Sequence, residues 1–388
     1  MSELLLDNMR SLGRRLRLGI VGGGAGSGIG ATHRYAARLD GKFEIVAGAF
    51  DIDPVRGRDF ASGLLLDPAR IYDDVDELVA GESEREDGVD LVSVLTPNHS
   101  HFAISAALVD AGFNVLCEKP LTTSWQDAAV LLDKVEKAGV VLAVNYGYSG
   151  YPMVRQAKAM CERGDFGRIN LIQVEYALGF PATMEEQKGG HWRTKAGLAG
   201  NSAVLSMIGT HASHLASYVS GQDITEVSAD LHTFVPGREL EDNAQINMRF
   251  SGGARGAMWA SYVAAGAWHG LKLRIFGDKG GFEWLQEDPN HLLVHSLGGE
   301  RKILTRGGVG MLPQSLAASR IAPAHAEGFI EAIGNVYSDV AEAVAGRLLK
   351  RSEKVPYPDH IDGALGVRFV DAAIQSSAEA GKWTPVSL

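Results

Sequence analysis

Short apolar runs and amphipathic stretches alternate through roughly the first 150 residues. "RLRLGIV" (15–21), "FEIVAGAF" (43–50), "VDLVSVL" (89–95), "FNVLCE" (113–118) and "VVLAVNY" (140–146) read as strands. Helical stretches fall between them: "ATHRYAARL", one starting near Asp53-Pro54, one from about His99, and "SWQDAAVLLDKVEKAG" (124–139). The apolar runs lack strict in–out alternation, as strands covered on both faces do. Strand, helix, strand in this rhythm predicts an α/β fold, a Rossmann-type doubly wound parallel sheet with right-handed crossovers.

After about residue 150 the rhythm changes. "RINLIQVEYAL" (168–178), "ITEVSADLHTFV" (224–235), "DNAQINMRF" (242–250), "ARGAMWASYV" (254–263), "LKLRIFG" (271–277), "GGFEWLQ" (280–286) and "HLLVHSL" (291–297) read as strands. Tight turns join several of them, at 251–253, 277–280 and 288–290, so successive hairpins predict a large, open, mostly antiparallel sheet. With helices near 206–220 and 325–347, this half reads as an α+β domain. The predicted division is a dinucleotide-binding domain over 1–148 and a substrate-binding and oligomerisation domain over 149–388.

Composition narrows the function. At 388 residues, with 45% apolar and 22% charged residues, the chain has the balance of a two-domain globular protein. Its net charge of −10 argues against nucleic acid or an anionic membrane as partner. Two cysteines, Cys117 and Cys161, make neither a disulfide framework nor a zinc motif, and no other cluster has metal-ligand spacing. The N-terminus has no signal-peptide pattern and no run long enough to span a membrane, so a cytoplasmic protein is expected.

The first turn carries the best motif. "GIVGGGAGSGIGATH" follows a strand and opens a helix. Gly22 and Gly24 supply G-x-G, and Gly30 is the expected helix-packing glycine of a turn about three residues longer than usual. Such glycines let backbone amides approach a pyrophosphate at a helix N-terminus. Asp51, at the end of the second strand, is placed to accept from both adenosine ribose hydroxyls and to repel a 2′-phosphate, so NAD is expected rather than NADP. Asp53, before Pro54, fits a helix N-cap. In "LTPNHSHF" (95–102), Thr96, Pro97 and Asn98 line the same crevice, with Asn98 or Ser100 available to cap the next helix. The apolar run ending at Cys117 stops abruptly on Glu118-Lys119-Pro120.

T-P-N after one strand and E-K-P after the next resembles the glucose–fructose oxidoreductase / inositol dehydrogenase (Gfo/Idh/MocA) family. The similarity extends through "YPMVRQAKAMCERGDFGRI", "HWRTKAG", "GTHASHLASYVSG" and the strands beyond. The resemblance implies that Lys119 polarises the oxygen of the reacting hydroxyl, that Glu118 sits near the nicotinamide side of the cofactor, and that a cis peptide before Pro120 aims the lysine. It implies a homodimer or homotetramer, with another subunit covering the open sheet. The family's D-x-G-x-H motif matches here at Gly209 and His211, but Met207 holds the acid position. An acid there would orient the imidazole and stabilise its cation; methionine does neither. His211 is therefore open to three readings: general base, hydrogen-bond donor with Lys119 or another histidine as base, or structural residue in a protein that has lost the activity. Thr210 and His214 are candidate neighbours. His191, Trp192 and Arg193 of "GHWRT", with Tyr148 and His325, offer hydroxyl-binding and flat apolar surfaces for a sugar.

These observations imply an NAD-dependent dehydrogenase oxidising a secondary hydroxyl of a sugar, sugar derivative or cyclitol. Two other readings share the sequence: a redox-neutral NAD enzyme that cleaves glycosides or eliminates, and a non-catalytic NAD- and sugar-binding regulator.

Overall fold

The computed structural model describes residues 7–179, 195–353 and 355–388, which divide into two compact units. The first holds a five-stranded parallel sheet in the order β2-β1-β3-β4-β5. Its strands are β1 (Leu16–Gly22), β2 (Phe43–Ala49), β3 (Leu91–Leu95), β4 (Asn114–Cys117) and β5 (Leu142–Val144). They are buried almost throughout, which is why their sequences read as unbroken apolar runs. The helices are α1 (Asn8–Leu12), α2 (Gly28–Leu39), α3 (Pro54–Ser62), α4 (Val75–Ser83), α5 (His101–Asp110) and α6 (Trp125–Ala138). The strand order reverses between β2 and β3, on either side of β1. That switch opens a crevice at the carboxyl ends of β1 and β3, where ligands of doubly wound sheets bind.

The second unit contains α7 (Pro152–Glu162), β6 (Ile169–Ala177), α8 (Ala196–Ala199), α9 (Thr210–Ser220), β7 (Ile224–His232), β8 (Asn243–Phe250), β9 (Arg255–Ser261), β10 (Gly270–Gly277), β11 (Gly280–Leu285), β12 (His291–Ser296), β13 (Arg301–Thr305) and α10 (Pro313–Ala317). Two long helices follow, α11 (Phe329–Leu348) and α12 (His360–Ala378), then the short strand β14 (Thr384–Pro385). The nine strands run β13-β12-β11-β10-β6-β9-β8-β7-β14. All neighbours are antiparallel except β6 and β9. The hairpin rule predicted the other pairings but not this one, because β6 enters the sheet from α7 and lies between β10 and β9. One face packs on α7 and α9 around Ile172, Val174, Leu273, Phe282 and Trp284. On the other, Gln245, Asn247, Ala257, Trp259 and Gln173 alternate outward.

The units do not follow a single cut after residue 148. Residues 333–363 belong to the first unit, and the second comprises 123–125, 147–332 and 364–388. The cause is apolar: Ile333, Val336, Tyr337, Val340 and Val344 of α11 are at most 1% exposed. Further contacts tie this segment in. The Glu342 carboxylate accepts from the amides of Asn8 and Met9 at the start of α1, and the amide of Val144 donates to Pro358.

Candidate active site

The glycine-rich turn has no room for side chains. Gly22 has φ of +79°, and a Cβ on it would lie 2.7 Å from Thr96 Cγ2. A Cβ on Gly24 would lie 2.4 Å from the Phe50 carbonyl oxygen, and one on Gly30 2.2 Å from that of Gly23. Gly30 thus presses α2 against the turn. Ser27 caps the helix, its hydroxyl accepting from the Gly30 amide at 3.1 Å. A turn this tight before a helix N-terminus fits a dinucleotide pyrophosphate.

Asp51 lies two residues past β2. It accepts from the Asp53 amide at 3.0 Å and from the Arg56 guanidinium, and these two hold its carboxyl below the usual range. Asp53 caps α3 through the amides of Val55 and Arg56, as its place before proline predicts. The capping expected in the third crevice loop is absent: neither Asn98 nor Ser100 caps α5 through its side chain. The Ser100 hydroxyl turns back on its own loop, donating to Thr96 Oγ1 at 2.7 Å and the Pro97 carbonyl at 2.8 Å. Asn98 is buried.

Glu118 and Lys119 close β4, and the Lys119–Pro120 peptide is cis. Both side chains are nearly buried. Glu118 Oε1 accepts from Asn145 Nδ2 at 2.6 Å and lies 2.8 Å from His33 Nε2. The other His33 nitrogen meets the Tyr337 hydroxyl at 2.8 Å, and that hydroxyl meets Ser93 Oγ at 2.9 Å. Burial opposes a charge on Glu118. The His33 hydrogen bond, the Lys119 ammonium and the Asn145 amide outweigh it and hold the carboxyl at about 2. Glu118 is thus a fixed anion. His101, fully buried in α5, bridges the Thr96 carbonyl (2.8 Å) and the Pro120 carbonyl (2.7 Å), tying together the loops after β3 and β4. Burial pushes this ring below its ordinary range, against the pull of the two carbonyls.

In the second unit, His211 stands at the start of α9, immediately after a π-helical turn, Leu205–Gly209. Turns of this kind cluster at functional sites. Here it carries Met207 and Gly209 and rewinds the chain just before His211, so α-helical spacing does not describe the 207–211 pair. Met207 is half-buried against the core. The start of the segment is held by buried Glu241, which accepts from the Ser202 hydroxyl and the amides of Ala203 and Leu205. Tyr148 lies edge-on to His211, ring centroids 4.8 Å apart, and its hydroxyl bonds that of Tyr176. The structure therefore brings Tyr148 and His211 together. Thr210 is buried beside His211. His214 stacks on Tyr218, and burial pushes it down to about 3, leaving a weak base.

His325 lies in a loop pinned from beneath. The buried Arg306 guanidinium donates to the carbonyls of Ile321, Ala322 and His325, and the Glu327 carboxylate accepts from the amides of Arg320 and Ile321. The His325 side chain itself is exposed. His191, Trp192 and Arg193 lie outside the described residues. Sequence reasoning missed His33, Asn145, Tyr337, His101 and Glu241. No spacing links them to the motifs they support.

A dinucleotide turn, a ribose-facing acid and an E-K-P strand end define a Rossmann-fold oxidoreductase. Residues 16–146 match the family model described as "Oxidoreductase family, NAD-binding Rossmann fold", and residues 154–283 match the "GFO/IDH/MocA C-terminal domain". The chain is similar to "Uncharacterized oxidoreductase YfiI" of Bacillus subtilis, at 35% identity over 98% of this chain and 99% of the relative. Among solved structures it is similar to an inositol dehydrogenase homolog from Azotobacter vinelandii complexed with NAD+, at 39% identity, 96% and 97% coverage and a TM-score of 0.92. The same homolog complexed with NADH and myo-inositol matches at 39% identity, 96% and 98% coverage and a TM-score of 0.89. The chain belongs to the Gfo/Idh/MocA oxidoreductase family. It is an NAD-dependent enzyme, as the turn and Asp51 led us to expect. Among the described residues, no helix is long and apolar enough to cross a membrane.

Proposed function

We propose that the protein is a dehydrogenase acting on CH–OH groups, oxidising a secondary hydroxyl of a polyhydroxylated ring, a cyclitol or a sugar. The carrying observation is the end of β4, where a buried lysine follows a buried, fixed carboxylate. NAD, when bound, supplies the hydride acceptor at nicotinamide C4. Gly22, Gly24 and Gly30 admit its pyrophosphate, Asp51 takes the ribose hydroxyls, and Thr96, Asn98, Glu118 and Pro120 line the crevice. Lys119 donates a hydrogen bond to the reacting oxygen and favours its growing carbonyl character. His211 takes the hydroxyl proton, with Tyr148 setting the ring's orientation. Thr210, His214, His325, His191, Trp192 and Arg193 are the proposed surroundings of the substrate. The enzyme acts in the cytoplasm.

We also propose that a second copy covers the open sheet face. Leu171 and Trp259 stand on that face 51% and 37% exposed, among polar neighbours. The function is tested by offering cyclitols and monosaccharides with NAD and following NADH absorbance. Release of NADH with at least one ring polyol is expected. Product formation with no net NADH would overturn the dehydrogenase reading.

A further inference from the structure

The crevice acid at the end of β2 has a dedicated counter-charge. Arg56, in the first turn of α3, donates from Nη2 to both oxygens of Asp51, at 2.9 and 2.6 Å, and from Nε to one of them at 3.2 Å. The Asp51 side chain is 11% exposed, whereas that of Arg56 is 66% exposed. The acid is thus fixed between this fork and the Asp53 amide, and the guanidinium stands at the rim.

A ribose with free 2′ and 3′ hydroxyls offers donors, which a fixed carboxylate accepts. A 2′-phosphate brings two negative charges and no donor. It meets Asp51 as a repulsive group and finds the nearest guanidinium already engaged. A guanidinium fork matches phosphate as well as carboxylate. We propose that Arg56 is the second half of the cofactor-selectivity switch. With Asp51 present, it clamps the acid for a ribose diol; once that acid is neutralised, it becomes the receptor for a 2′-phosphate. This rests on Asp51 being the ribose acid. The rival cation is Arg34 of α2. It donates to the Gly23 carbonyl and lies 4.8 Å over the Phe60 ring, so it is committed to the glycine-rich turn. Arg58, also on α3, pairs with Asp73.

The test uses ligands that need no turnover. Adenosine 5′-diphosphate and adenosine 2′,5′-bisphosphate are titrated calorimetrically into wild type, Asp51→Ser, Arg56→Ala, Asp51→Ser/Arg56→Ala and Asp51→Ser/Arg34→Ala. Wild type should prefer the diphosphate, and Arg56→Ala should weaken it a few-fold by loosening Asp51. Asp51→Ser should tighten the bisphosphate by about tenfold, the scale of one charge-assisted fork. That gain should vanish with Arg56→Ala added and survive with Arg34→Ala added. A gain that survives Arg56→Ala, or that Arg34→Ala alone abolishes, overturns the role of Arg56 and leaves the ribose acid standing. A wild type that binds both ligands equally, unchanged by Asp51→Ser, overturns the ribose acid and the switch with it.

Discussion

Single residues carried most of what the sequence made legible about the site. Gly22, Gly24, Asp51 and Glu118-Lys119-Pro120 sit at strand ends, where a linear pattern fixes their place. Their supports did not show, because His33, Asn145 and Tyr337 reach Glu118 from three other elements and Tyr337 lies hundreds of positions away. Replacing Lys119 with alanine removes a donor to the developing carbonyl. Turnover should fall by roughly 10²–10³-fold, while NAD affinity changes only a few-fold. Steady-state kinetics beside NAD titration checks this, and near-normal turnover would refute the role. Glu118 carries a second prediction. Its carboxyl is held at about 2 against an ordinary 4.5. A depressed acid contributes stability that is complete above the unfolded-state value and drains away as pH falls towards the folded one. Wild type should therefore lose stability between pH 4.5 and 2 through this group, and Glu118→Gln should lose less over that interval. Urea midpoints across that range compare the two.

At the scale of elements, hydrophobic period found the strands of both sheets well, since sheet alternation is local. It overlooked the short edge strands β13 and β14 and the helix α12. It also could not foresee the π-turn before His211, since a wider turn leaves no mark on an apolar pattern. That turn bears on Met207. Restoring the family's acid as Met207→Asp puts a carboxylate where a thioether packs half-buried against the core. The variant should be less stable by about 1–3 kcal/mol, the cost of a poorly partnered polar group. If the carboxylate reaches His211, imidazolium is favoured, and the rise of the pH–rate profile for oxidation should move to higher pH. His211→Ala should abolish that rise. An unmoved profile in Met207→Asp, with substantial activity in His211→Ala, would transfer the base role to Lys119.

For the whole molecule, the change of rhythm near residue 150 revealed that there are two kinds of sheet, but not how the chain is shared between them. A second copy on the open face makes one prediction here: Trp259→Glu should lower the mass measured by sedimentation, and a wild type that sediments as a monomer would remove the proposal. The return of residues 333–363 makes another. Sequence patterning places a boundary after 148 because a helix's apolar stripe does not say which core it serves. In the structure the stripe of α11 serves the first unit. Ile333, Val336, Val340 and Val344 are fully buried, and burying four such side chains is worth on the order of 10 kcal/mol, comparable to the net stability of a domain. The same segment bonds Val144 through Pro358 and bridges Ala143 through Asp359, covering the otherwise bare edge of β5. It also supplies Tyr337 to the chain that fixes Glu118. A fragment ending at residue 148 should therefore melt without a cooperative transition and fail to bind NAD. Joining residues 333–363 to it through a flexible linker should restore a cooperative melt, and Tyr337→Phe in that joined fragment should preserve folding while weakening the hold on Glu118. Cooperative melting and NAD binding by the shorter fragment would show that the C-terminal return is dispensable to the first unit.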